Sequence, residues 1–332
     1  MKVKVLVTGA TGFLGKHLAV ALHKLGHEVT AAGRNAQAGA ELAAQGIAFL
    51  PCRLEDTAQT VRSCFGQDIV FHCGALSSLW GSYNDFYESN VTGTRNVIKG
   101  CTEGGVQRLI YVSTPSIYFD YTDRLSIAES ARLPRRAANA YAETKRLAEQ
   151  DIDAAFRLGL AVVTVRPRAI FGPGDRAIVP RLIEASRQGK LPLIRGGRAV
   201  LDLTYVDNAV QALLLCMTAP SSVLGRKYNV TNGEPQPFIE VLNYLFERLG
   251  EPLRSRKLPY RAAYALAGLL EAAAKLSGSG KEPLLTRYSV GLLGRSQTLD
   301  ITAAREELGY RPQVTVKEGI DAYAAWYRRQ HD

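Results

Sequence analysis

The chain is poor in cysteine, and none of its cysteines stands where cysteine chemistry would need it. Five are scattered over 332 residues: Cys52, Cys64, Cys73, Cys101 and Cys216. The number is odd, and neither a C-x-x-C pair nor a Cys/His grouping at metal spacing occurs. That argues for buried free thiols in a reducing cytoplasm, and against a disulfide framework or a metal site. No apolar run is long enough to span a bilayer. Long tracts of one charge are missing too. Lys and Arg outnumber Asp and Glu by 41 to 31, yet the densest basic clusters are the pairs Arg135-Arg136 and Arg328-Arg329. This spread speaks against nucleic acid and for a general attraction toward anionic ligands, such as a phosphorylated cofactor or an acidic substrate. The basic, apolar start contains a glycine turn and no small-residue cleavage site follows, so it reads as mature sequence. With 46% hydrophobic and 22% charged residues, the composition is that of a soluble protein of one large domain or two.

What is present is organised around the opening stretch. The apolar run from Lys4 to Thr8 ends in Gly9, Gly12 and Gly15, with Thr11, Phe13 and Leu14 between them, and Leu14, Leu18, Ala21, Leu22 and Leu25 follow on one side of a helix. Strand, tight turn and helix start are the expected structures. Glycine serves where backbone must approach a ligand closely, and a helix N-terminus attracts a pyrophosphate. Dinucleotide binding is the reading, because the turn follows the first strand.

Further strands are expected at Glu28 to Ala32, Ile47 to Cys52, Ile69 to Cys73, Arg108 to Val112 and Ala161 to Val165. Arg34 follows the second of the chain's strands with no acid beside it in the sequence. An arginine there suits a 2′-phosphate, so NADP(H) is preferred over NAD(H). The strand ending at Cys73 leads into Gly74-Ala75, small enough for a cofactor to pass over, while His72 reads as a packed, hydrogen-bonded side chain. The loop holding Ser77 and Trp80 either fills core or walls a substrate site. A helix is expected from Asp85 to Glu103.

Ser113, Thr114 and Ser116 place hydroxyls at the end of the Arg108 strand. A helix then opens at Asn139 and runs to about Leu158, with Tyr141 and Lys145 one turn apart on one face. An ammonium there, with a positive nicotinamide ring, favours the phenolate of a group whose reference pKa is near 10. Lowering that value by ~3 units takes about 4 kcal/mol.

Beyond Arg166 the proline and glycine density says that the chain leaves the sheet. A helix from Val179 to Gln188 and the segment Leu191 to Arg195 are expected outside it, and a helix from Ala209 to Met217 capped by Asp207. Lys227 to Thr231 extends the sheet, and from Phe238 onward the pattern is helical. Arg261 to Leu276 reads as core or lid packing, with a helix lying on a membrane surface as the alternative.

With these residues placed, the whole chain resembles the extended short-chain dehydrogenase/reductase superfamily, also called the NAD-dependent epimerase/dehydratase family. Its 3β-hydroxysteroid dehydrogenase-like branch looks closest, and bacterial 2-alkyl-3-oxoalkanoate reductases most similar within it. The ordered set carries this: Thr8 to Gly15, Asn90 to Thr94, Ser113-Thr114, Tyr141 with Lys145, Arg166-Pro167, Phe171 to Gly174, Tyr205 to Asn208, Tyr228 to Val230, and Asp300 to Ala304 with Leu308 to Pro312.

The resemblance implies an α/β fold: a doubly wound parallel Rossmann sheet with a smaller, mostly helical C-terminal substrate region. Residues 1–167 and 201–232 would bind NADP(H), and 168–200 with 233–332 the substrate. It implies Tyr141 as acid/base, Lys145 on the nicotinamide ribose and Thr114 on the substrate oxygen. Gly9, Thr11, Gly12, Phe13, Leu14 and Gly15 would hold the pyrophosphate. Arg34, Arg53 and Leu54 would meet the adenosine end; Gly74, Ala75, Pro167 and Ile170 would flank the rest, with Asn90, also at the cofactor site, bracing it rather than reacting. Arg53 replaces the acid the family often has there. Ser77, Trp80, Ser116 and Phe171 are candidate substrate contacts, and a homodimer through the Asp85 and Tyr141 helices is implied. Pro115-Ser116 stand where sugar dehydratases have an Asp-Glu pair. The expected function is thus reduction of a ketone, or the reverse oxidation, on a hydrophobic 3-oxo or 3-hydroxy substrate. A nucleotide-sugar epimerase with tightly held NAD and a non-catalytic NADP(H) sensor are the alternatives.

Overall fold

Val5, Leu6 and Val7 are all fully buried, as are Val70 and Phe71. Such strands are apolar on both faces, the pattern of a parallel sheet covered by helices above and below. The computed structural model, which describes residues 2–277 and 281–331, has that sheet. Its strands are β1 (Lys4–Thr8), β2 (Glu28–Gly33), β3 (Ala48–Pro51), β4 (Ile69–His72), β5 (Arg108–Val112), β6 (Val162–Pro167) and β7 (Lys227–Val230). They lie in the order β7-β6-β5-β4-β1-β2-β3, all parallel. The winding reverses between β1 and β4, which opens a crevice at their carboxyl ends. The expected extension by Lys227 is realised as β7.

One face of the sheet is covered by Leu18 and Leu22 of the Phe13–Lys24 helix with Val210 and Leu213 of the Val206–Thr218 helix. Val97, Cys101, Ala148 and Ile152 cover the other. The helix expected from Asp85 is present with a wide π turn at Glu88–Thr92 between Tyr83–Tyr87 and Gly93–Glu103. Asp207 differs from its expected role. The helix starts earlier, at Val206 with Tyr205 as N-cap and no side-chain cap, because Asn232 Oδ1 accepts from Tyr205 N–H at 2.9 Å and anchors that end. Asp207 instead sits in the first turn, 3.6 Å from His17.

The second layer has more strand than its helical pattern announces. Leu191–Ile194 pairs in parallel with Ser255–Leu258, and a four-stranded sheet joins Gln236–Pro237, Val200–Leu201, Gln297–Leu299 and Arg124–Ile127. Short bridges supported by distant partners carry no local periodicity, so they escape a reading from pattern. The Phe238–Leu249 helix shows the reverse case. Phe238, Val241, Leu242, Leu245, Phe246 and Leu249 fall on one face and are buried, and Gly250 ends it at φ +71°. They pack on Ile183, Leu193, Ile320 and Tyr323.

The chain then returns to the main sheet. Ile301, Ala304, Leu308 and Tyr310 belong to the core beneath β6 and β7, and Tyr310 Oη donates to the Thr231 carbonyl at 3.0 Å. The expected substrate region from residue 233 thus sends a segment back into the dinucleotide core. Among the described residues no helix is long and apolar enough to cross a membrane, and no group of three potential metal ligands occurs.

Candidate active site

The crevice at the switch point opens into a cavity of about 1200 Å³. Its floor is the glycine turn. A Cβ on Gly9 would lie 2.6 Å from Gly74 Cα, and one on Gly15 2.4 Å from the Gly9 carbonyl oxygen, so both glycines let backbone pack on backbone. Gly12 is different: a Cβ there meets only the Gly9 oxygen, at 3.2 Å, and otherwise faces free space. Gly12 also heads the Phe13–Lys24 helix without a side-chain cap. The first N–H groups of that helix have no intrahelical acceptor, so the residues present fit a dinucleotide's pyrophosphate.

At the adenosine end the structure corrects the sequence reading. Arg34 has no acid beside it along the chain, but Glu55 Oε1 lies 3.6 Å from Arg34 Nη1 and 3.7 Å from Arg53 Nη2. The cause is the parallel pairing of Gly33 with Pro51, which brings the loop after β3 beside the tip of β2. Arg34, Leu54 and Glu55 line the cavity; the exposed Arg53 does not.

The chemistry is concentrated where β5 ends. Asn139 Oδ1 accepts from Ala142 N–H at 2.8 Å and starts the Ala140–Arg157 helix. Tyr141, Lys145 and Glu149 follow at successive turns. Lys145 is buried, donates to the Val112 carbonyl at 2.7 Å, and sits 4.2 Å from the centroid of the Tyr111 ring. Burial pulls its pKa down to about 7, and the Glu149 charge opposes this. Burial pushes the Tyr141 phenol up to about 12, against the opposing influence of the neighbouring Thr114 hydroxyl. This departs from the expected lowering by Lys145: the ammonium is engaged by Val112 and Tyr111, and desolvation of the phenolate dominates. Thr114 Oγ1 in turn donates to Ser116 Oγ at 3.0 Å and accepts from Ser116 N–H at 3.2 Å.

Of the other expected contacts, Thr11, Phe13, Leu14, Gly74, Ala75, Pro167 and Ile170 line the cavity, as do Ser77 and Phe171. Asn90 and Trp80 do not. Asn90 is committed to the chain: Nδ2 donates to the Leu76 carbonyl and to Thr144, both at 3.1 Å, and Oδ1 accepts from Leu76 N–H at 2.7 Å. It holds the Ser77 loop rather than a ligand. Trp80 N–H donates to Ser78 Oγ at 3.2 Å within that loop. His72 bonds Thr8 at 2.7 Å and Thr94 at 3.0 Å, and burial lowers its pKa to about 3.

Beyond the expected contacts the cavity is walled mostly by apolar side chains, among them Leu182, Leu201, Phe238, Leu245, Leu285 and Leu292, with the charged Arg181, Lys190, Arg256 and Glu282 also in its lining. Arg168 and Tyr288 line it too and were not singled out by the sequence. Glu149 was missed too, although its spacing of four from Lys145 repeats that of Tyr141 and was the available signal.

Residues 5–231 match the NAD dependent epimerase/dehydratase family. The chain is 38% identical over 328 residues to a 2-alkyl-3-oxoalkanoate reductase of Stenotrophomonas maltophilia, covering 96% of this chain and 97% of that protein. It is 30% identical to a decarboxylating sterol-4-alpha-carboxylate 3-dehydrogenase of Mus musculus, over 96% of this chain and 89% of the other. Among solved structures, a UDP-glucuronic acid 4-epimerase from Bacillus cereus in complex with NAD superposes with a TM-score of 0.78 at 19% identity, over 99% and 100% of the two chains. That likeness concerns the fold alone. With a family match over most of the sheet and relatives alike from end to end, the chain belongs to the NAD-dependent epimerase/dehydratase family and is an NAD(P)-dependent oxidoreductase acting on CH–OH groups.

Proposed function

We propose that the protein is an NADP(H)-dependent ketone reductase, or the reverse alcohol dehydrogenase, for a bulky apolar 3-oxo or 3-hydroxy compound such as a long-chain 3-oxoacid or a sterol. The observation that carries this is the continuity of one cavity from the glycine turn, past Thr114 and Tyr141, into walls of leucine and phenylalanine. Such walls suit an alkyl or sterol body. The reductase and sterol dehydrogenase names of the relatives agree with it.

The cofactor, when bound, supplies or accepts the hydride. The helix behind Gly12 binds its pyrophosphate, and Lys145 meets the nicotinamide ribose. Thr114 holds the substrate oxygen, and Tyr141 gives it a proton. A phenol kept protonated by burial is the form that reduction consumes. Arg34 favours a 2′-phosphate, because its pairing with Glu55 is long and exposed and stabilises little. We assign it a cytoplasmic setting and a homodimer through the Asp85 and Tyr141 helices. Peripheral membrane contact through the Tyr260–Leu276 helix, which leaves Leu269 and Leu276 exposed, fits the apolar substrate.

NADPH oxidation with 3-oxoacids and steroid ketones tests the proposal. Tyr141→Phe should lose most turnover while NADPH still binds. Full activity in that variant would overturn the assignment.

A further inference from the structure

β6 leaves the sheet through two buried arginines on either side of Pro167. They have opposite fates. Arg166 is locked to Glu149, Nε to Oε1 at 2.8 Å, with a second contact between Nη2 and Oε2. Arg168 is 8% exposed and lines the cavity, yet no described carboxylate comes within ion-pairing distance of it. One Nη1 donates to Gln297 Oε1, and Nε has no hydrogen-bond partner. Among the described residues the one carboxylate whose field reaches it, Asp202, is itself buried and makes no ion pair with it: Oδ2 accepts from Leu299 N–H at 2.7 Å and Oδ1 has no hydrogen-bond partner. A guanidinium taken from water without a paired anion is costly, and a planar carboxylate is its natural complement.

The neighbours connect this charge to the reacting centre. Arg168, Tyr288, Ser116, Thr114 and Tyr141 line the same cavity, and Thr114 Oγ1 donates to Ser116 Oγ at 3.0 Å. A set of polar groups therefore extends from Arg168 to the position proposed for the substrate oxygen. Next to it Ala169 holds φ at +44°, a strained conformation for a residue with a side chain.

We propose that Arg168, assisted by Tyr288, is the seat for a substrate carboxylate, so that the enzyme takes apolar acids carrying the oxygen on the carbon β to the carboxyl group. This rests on the ketone-reductase reading and narrows it: the carboxylate docks on Arg168 while the β oxygen lies on Thr114 and Tyr141, and the chain runs along the leucine walls.

Stable 3-hydroxy compounds test this in the oxidative direction with NADP⁺. Wild-type protein should oxidise 3-hydroxydodecanoate with a kcat/KM roughly ten- to a hundredfold above that for its methyl ester, the range for a buried charged hydrogen bond. Arg168→Gln should erase the preference through KM for the acid, and Arg168→Lys should keep part of it. Should Arg168→Gln fail to fold, the wild type still decides, because dodecanoate should compete with substrate and dodecanol should not. Equal kcat/KM for acid and ester, or equal inhibition by dodecanoate and dodecanol, overturns the carboxylate seat and leaves the reductase reading standing. Turnover of neither compound overturns both.

Discussion

Glu149 stands one helical turn beyond Lys145, and its carboxylate is clamped edge-on by the guanidinium of Arg166, Nε to Oε1 at 2.8 Å. Both side chains of the pair are almost wholly buried, 4% and 3% exposed. Lys227 Nζ approaches the same carboxylate at 3.5 Å, and Arg166 reaches the Tyr118 hydroxyl, which donates to Asn229 at 3.1 Å. The pair thus ties the Ala140–Arg157 helix to β6, β7 and the turn after β5. It also places a negative charge below a lysine whose own charge burial disfavours.

Removing Arg166 leaves the buried Glu149 carboxylate paired, among the described residues, only with Lys227 at the longer distance of 3.5 Å. Arg166→Met should lower unfolding free energy by about 3–5 kcal/mol, and combining it with Glu149→Leu should recover much of that loss. Denaturant unfolding of the two variants against wild type measures this. A double variant as unstable as the single one would contradict it.

Lys145 gives a prediction with a defined pH window. Its folded pKa of about 7 lies below the unfolded value near 10.5, so the unfolded chain holds more protons between those values and stability rises with pH across them. The handicap of the buried ammonium is full below pH 7 and fades toward pH 10. Lys145→Met should lose turnover yet be more stable than wild type at pH 6.5, by an amount on the order of a few kcal/mol, and so melt higher. That advantage should shrink by pH 9. Paired melting curves at the two pH values decide.

The glycines of the turn should separate into two kinds. Gly15→Ala drives a Cβ to 2.4 Å from a backbone oxygen and should lower the melting temperature. Gly12→Ala meets little protein and should fold normally but bind NADPH at least about tenfold more weakly, because the added methyl occupies the space facing the ligand. Melting temperature and NADPH titration, measured on both variants, should rank them in opposite orders.

Cofactor choice should respond to two residues in opposite senses. Arg34→Ser removes the fork proposed for the 2′-phosphate and should weaken NADPH by roughly tenfold to a hundredfold with little change for NADH. Glu55→Gln takes away the charge that competes for Arg34 and should tighten NADPH modestly, an effect that fades in high salt. Dissociation constants for both nucleotides at two ionic strengths check the pair.

The sequence disclosed what local pattern encodes. β1, β5 and the Phe238 helix announce themselves by runs or periods of apolar residues, and Tyr141 with Lys145 by their spacing. Relations that depend on who lies beside whom were closed to it. Glu55 is 21 residues from Arg34 and meets it because β3 lies alongside β2. Asn90 faces the Leu76 backbone through a π turn that no composition marks. Arg166 and Arg168 are two positions apart and chemically alike, yet only the folded chain shows that one is neutralised and the other is not.

The return of residues 301–310 to the sheet also governs how this protein can be recombined. Tyr310 closes on Thr231 and Tyr228 on Glu307 at 2.7 Å, so a chimaera joined at residue 233 with a foreign carboxyl-terminal half would sever the native nucleotide fold from its own last layer. Grafts aimed at a new substrate should therefore replace inserts with both ends anchored, such as 168–200, and keep the tail with its parent.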